Sequence, residues 1–186
     1  MIAVPAGVVA VCWGQGAKDP SETGRPISLS AAALDGDVRK VKALLESGRL
    51  GRADERGVTP LAMAAFGGNS QVVSMLLARD AAAARAVDDR GRTPLHWAAI
   101  GGHADVIEQL LRQGLDLNAT DRDGDAPLHL AARFGKPEAF AVLLAYGGDV
   151  AATDTDGCTP ADLAREAEDP DLREMVGAAE VESRIE

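Results

Sequence analysis

The chain has 186 residues, enough for one ordinary domain or a short repeat array, and 46% of them are apolar, enough to bury a core. Aromatic residues make up only 3% while Ala and Gly abound, which argues against a β-sandwich and for close-packed helices joined by short turns. The net charge of −10 argues against nucleic acid, whose phosphates call for a clustered Lys/Arg surface.

The N-terminal residues stand apart. Ile2 to Trp13 is a mostly apolar run of signal-peptide core length, but no basic residue precedes it and no small-x-small cleavage site is clear. Two readings stay open: a loosely packed leader, which would leave the protein cytoplasmic, or an export signal, which would make it periplasmic or secreted. The run is too short to span a bilayer as a helix, which takes roughly 20 apolar residues. Gly14 to Pro26 reads as a Gly/Pro/Ser-rich linker, and its Gly14, Gly16 and Lys18 do not make a phosphate loop. Cys12 and Cys158 lie far apart and away from any metal-ligand spacing, so this is not a disulfide scaffold.

From Ile27 onward the chain repeats. Pro60, Pro94, Pro127 and Pro160 are spaced by 34, 33 and 33 residues, each inside a Gly-x-(Thr/Ala)-Pro-(Leu/Ala) string that starts at Gly57, Gly91, Gly124 or Gly157. The Gly suits a tight turn, the Thr caps a helix, and the Pro occupies the first helical position, where its missing N–H costs nothing. Each short first helix is expected to stop at Gly36, Gly68, Gly102 or Gly135. A second helix follows with apolar residues at helical spacing, as in Val72, Val73, Leu76, Leu77 and Val106, Ile107, Leu110, Leu111, and ends near Gly48, Gly114 and Gly147. The second copy carries one extra residue before Asp88, which accounts for the spacing of 34. Paired alanines, Ala64-Ala65, Ala98-Ala99 and Ala131-Ala132, let neighbouring first helices approach, and no single pair could bury its apolar face alone.

The first copy is degenerate and is recognised from Leu29, Ala32, Ala33, Gly36, Leu44 and Leu45. In the fourth, Ala126 replaces the capping Thr, a loss worth ~0.5–2 kcal/mol, so fraying is expected there unless Asp125 substitutes. The last copy lacks the helix-ending Gly and carries Glu166, Glu168, Asp169 and Asp171 instead, the polar outer face a terminal repeat needs. From Asp149 onward 12 acids meet 3 Arg, a net of −9, against −1 for the preceding 148 residues. That end reads either as a solvated cap and tail or as an acidic docking tail.

The run Thr93-Pro94-Leu95-His96-Trp97-Ala98-Ala99-Ile100-Gly101-Gly102-His103, with Gly114-Leu115-Asp116-Leu117-Asn118-Ala119 and Asp121, resembles the ankyrin-repeat signature. The resemblance covers about five copies between Ile27 and Val176. It implies an all-α solenoid of stacked helix-turn-helix units with β-turn or hairpin tips. The boundaries expected are 27–53, 54–87, 88–120, 121–153 and 154–176, with an apolar leader and linker over 1–26 and an acidic tail over 177–186.

The family implies a non-enzymatic module, an adaptor or scaffold that binds a protein partner and acts as a monomer. The alternative is an exported inhibitor, immunity factor or effector of the same fold. No catalytic, cofactor or metal residue is assigned. His96 and His129 are repeat equivalents, but two His without Cys or suitable carboxylates make a weak ligand set, and the family pattern implies a structural hydrogen-bonding role for them. Cys158 has no His or basic run beside it to lower its pKa.

The resemblance also says which positions folding leaves free: the tips and the exposed face of the first helix. These are Glu55, Arg56, Asp89, Arg90, Arg122, Asp123, Thr155 and Asp156 at the tips, with Val58, Arg92, Asp125 and Cys158 just after them. On the helices they are Phe66, Gly67, Ile100, Gly101, Arg133 and Phe134, while Met63, Trp97, Leu130 and Leu163 fall at core positions. Phe66, Ile100 and Phe134 are expected to lie side by side on a concave strip with Val58 at its edge. Arg56, Arg90, Arg92, Arg122 and Arg133 would fringe that strip, interleaved with Asp89, Asp123 and Asp125. An apolar centre inside an Arg-rich rim is the anatomy of a protein-binding patch, although single exposed apolar residues are common and need no explanation.

Overall fold

A computed structural model describes residues 28–48, 51–167 and 169–182. The apolar run and the linker lie outside them. Among the described residues ten α-helices follow as five pairs: α1 Leu29–Leu34 and α2 Val38–Glu46, α3 Pro60–Phe66 and α4 Ser70–Arg79, α5 Pro94–Gly101 and α6 Ala104–Arg112, α7 Pro127–Arg133 and α8 Pro137–Ala145, α9 Pro160–Glu166 and α10 Pro170–Glu182. A 3-10 turn, Ala81–Arg85, takes up the extra residue of the second copy and seats Ala84 in the core. Among the described residues there is no strand. Helix α10 runs six residues past Val176, through positions read from the sequence as tail.

Each pair is set by local chemistry. The Thr59 and Thr159 hydroxyls accept from the amides of Ala62 and Asp162 at 3.1 Å, and Ser28 does the same for Ala31 in the copy that lacks Thr-Pro. The first helices of the first four copies then end on glycines with positive φ, from 60° at Gly135 to 88° at Gly102, a region that costs a side chain energy. In the fourth copy the Ala126 amide donates to His129 Nδ1 at 3.2 Å, as the Thr93 amide does to His96 in the third, but no hydroxyl stands at the cap to accept from the first turn. Asp125 does not take the place of that hydroxyl, since its carboxylate accepts from Arg133 at 2.8 Å.

The first helices pack in one row and the second helices in another, each against its sequence neighbours. The main core fills the space between the rows, from Leu29, Ala33 and Val41 through Leu95, Ile107 and Phe140 to Leu172 and Val176 of α10. Ala64, Ala65, Ala98, Ala99, Ala131 and Ala132 are all fully buried, as their role in close helix approach requires.

Candidate functional site

The tips form a continuous row along one edge of the stack. Asp54, Asp88, Asp121 and Asp154 each turn one carboxylate oxygen inward to accept two amides, those two and four residues on, at 2.8 to 3.0 Å. Each tip then bonds to the previous one: the amides of Asp89, Arg122 and Thr155 donate to the carbonyls of Arg56, Arg90 and Asp123 at 2.7, 2.8 and 3.0 Å. This framework holds Arg56, Asp89, Arg90, Arg122 and Asp123 on exposed positions, with Arg90 and Asp123 3.8 Å apart across two tips.

Beneath the tips lies a second apolar cluster, separate from the main core: Val58, Ala62, Trp97, Ile100 and Leu130 are buried, with half-buried Met63, Phe66 and Phe134 packed on them. Phe66 meets the Trp97 ring edge-on at 5.9 Å, and the Arg92 guanidinium lies 4.5 Å above that ring.

Several expectations change here. Ile100 and Val58 are only 4% and 6% exposed, so they are interior to this cluster and not exposed strip residues. Arg92 is not a rim group: it is 9% exposed, bonded through Nε to Asp88 at 3.1 Å. Arg133 occupies the position of Phe66 and Ile100, and its guanidinium bridges Asp125 and Asp154 at 2.8 Å each, tying the fourth copy to the fifth. Phe134 falls one residue later, in register with Gly67 and Gly101. Those glycines are not free either. A Cβ on Gly101 would sit 2.5 Å from the Phe66 carbonyl oxygen, and one on Gly67 would collide with the Leu34 carbonyl. Met63, Trp97 and Leu130, read from the sequence as core, build the second cluster. Their spacing of three residues from Phe66, Ile100 and Arg133 is the sequence signal that puts them on one helix face.

Burial raises the Asp125 carboxyl above its ordinary value despite Arg133, because most of the group is out of water. At Asp154 burial pulls the same way, but the Cys158 and Asp156 amides and Arg133 outweigh it and hold the carboxyl low. His96 Nδ1 accepts from the Thr93 amide at 3.1 Å, which places the ring proton on Nε2, 3.1 Å from the Asp125 carbonyl. His129 Nε2 reaches the Ala152 carbonyl at the same distance. Burial keeps His96 neutral, its pKa below the ordinary value. Both rings are thus taken up by structural bonds. Burial and the neighbouring Asp154, Glu166 and Asp156 push the Cys158 thiol up, the reverse of nucleophile activation. Among the described residues no group of three His, Cys, Asp or Glu could hold a metal ion, and no helix is long and apolar enough to cross a membrane.

Five stacked helix pairs with a bonded ridge of tips define a helical-repeat solenoid. The chain belongs to the ankyrin-repeat family: residues 29–121 match the family described as ankyrin repeats in three copies, and residues 110–164 match ankyrin repeats in many copies. Proteins of this family typically serve as non-enzymatic modules for protein–protein interaction. No curated protein matches the chain.

Proposed function

We propose that this chain is a non-enzymatic adaptor that binds a protein partner across the tip row and the adjoining face of the first helices. The observation that carries the reading is the second cluster. It adds an apolar surface outside the core, with the half-buried rings of Phe66 and Phe134 and the thioether of Met63 at its boundary. Exposed Arg56, Arg90 and Arg122 stand along the tips above it. Aromatic residues and Arg are enriched where partners dock.

The test is affinity capture from the native host with the full chain and with a Phe66→Ala/Phe134→Ala variant of matched helical content. Loss of the captured protein supports the assignment. Equal capture by both proteins refutes it. The burial of Ile100 makes that residue unsuitable for this experiment, because removing it would disturb the fold as well.

A further inference from the structure

Between the tips of the second and third copies lies an open concavity of about 370 Å³, walled by Asp54, Arg56, Asp89, Arg90 and Arg92 with Trp97 behind them. Two of its donors are incomplete. Arg92 is nine-tenths buried; its Nε is held by Asp88 and its plane by Trp97, yet among the described residues neither of its terminal nitrogens has a hydrogen-bond partner. The Trp97 indole N–H is buried with no acceptor at all. The Trp97 nitrogen lies below the reach of solvent, whereas the terminal nitrogens of Arg92 remain open to it, so an occupant that supplies acceptors would meet Arg92.

We propose that this concavity is a specificity subsite for one carboxylate side chain of the bound polypeptide, received by the terminal nitrogens of Arg92. The inference rests on the reading of this face as protein-binding. A carboxylate matches the planar fork of a guanidinium with two parallel bonds, a fit that neither a backbone carbonyl nor an amide reproduces. Arg92 is set for this before any ligand arrives, since Asp88 and the Trp97 ring fix its position from two sides. Arg56 and Arg90 on the walls repel a basic side chain. Asp54 and Asp89 stand beside them, which disfavours an acidic run or a doubly charged phosphate and leaves room for a single negative charge among neutral neighbours.

The experiment is selection of a displayed random peptide library on the full chain, followed by fluorescence anisotropy with the selected peptides made synthetically. The enriched peptides should share one Asp or Glu. Its replacement by Asn or Gln should weaken binding at least about tenfold, the scale of a charge-assisted hydrogen bond. Arg92→Lys keeps a cation beside Asp88 but loses the fork, so it should weaken the acidic peptide to the level of its amide version. Peptides that share no acidic position, amide versions that bind as well, or an Arg92→Lys protein that still prefers the acid would each overturn the subsite. If those same peptides lose affinity on Phe66→Ala, the broader reading survives that result. If the library yields no binder on the unmodified chain, both readings fall.

Discussion

Replacing Ile100 with alanine distinguishes a buried second cluster from an exposed strip. At an exposed helix position the change would move stability by no more than about 0.5 kcal/mol. Ile100 is instead 4% exposed among Val58, Ala62, Trp97 and Leu130. Removing a buried isoleucine side chain costs about 2–5 kcal/mol, with the low end where neighbours can collapse into the gap. Met63, Phe66 and Phe134 border this cluster half-buried and are able to move inward, so a loss of about 2–3 kcal/mol is expected. For a chain of this length that corresponds to roughly 4–12 °C in Tm. The assay is urea unfolding of a Trp13→Phe background, in which fluorescence reports Trp97 alone, alongside far-UV circular dichroism. The fluorescence transition should shift to lower urea together with the dichroism transition. A change of stability below about 0.5 kcal/mol would mean that the cluster is not a packed unit.

Arg133→Met should cost about 1–3 kcal/mol in the same assay, because it strands Asp125 and Asp154 while the arginine itself is 38% exposed and partly screened; a neutral result would mean that water already satisfies both carboxylates. Gly101→Ala, which in an ordinary helix interior would gain about 1 kcal/mol, should lower the melting temperature, since the added Cβ meets the Phe66 carbonyl oxygen at 2.5 Å; a higher Tm would refute the close approach. Stability should also fall in mild acid. His96 is neutral in the fold with its pKa held below the usual 6.5, so its contribution is complete above that pH. That contribution is lost as pH drops further, when the unfolded chain takes the proton that the fold refuses. The urea midpoint should therefore fall between about pH 7 and 5, and a His96→Gln variant that falls just as steeply would assign the effect elsewhere.

The architecture was legible because its signals are local. The glycines at 57, 91, 124 and 157, those closing the first helices and those after the second all have positive φ, as their turn positions demand. The capping chemistry was legible for the same reason, including the cap that Ala126 leaves without a hydroxyl before Pro127. The candidate surface was read less well, because facing is a tertiary property. Composition marks Ile100 as bulky and apolar, but only the approach of Trp97 and Leu130 from its own and the next copy buries it. Phe134 and Arg133 are adjacent in sequence, and which of them continues the line of Phe66 and Ile100 depends on counting register from the helix start. Arg92 looked like a rim charge until Asp88 and Trp97 were seen to hold it.

Side chains fasten the third copy to its neighbours on both sides. Asn69 reaches back from the second copy to the Ala33 and Leu34 carbonyls at 3.3 and 3.1 Å, and His103 reaches back from the third to Phe66 at 3.0 Å. His96 of the same copy reaches forward to the Asp125 carbonyl of the fourth at 3.1 Å. The third copy therefore grips both neighbours. During synthesis the first two copies emerge without it, and the lock on their outer joint closes only after His103 has left the ribosome. The fourth and fifth then add to a platform that is already complete. A circular permutant that splits the chain within 94–103 should accordingly lose both halves, whereas one opened at the Gly48 turn, outside that grip, should keep the last three copies joined.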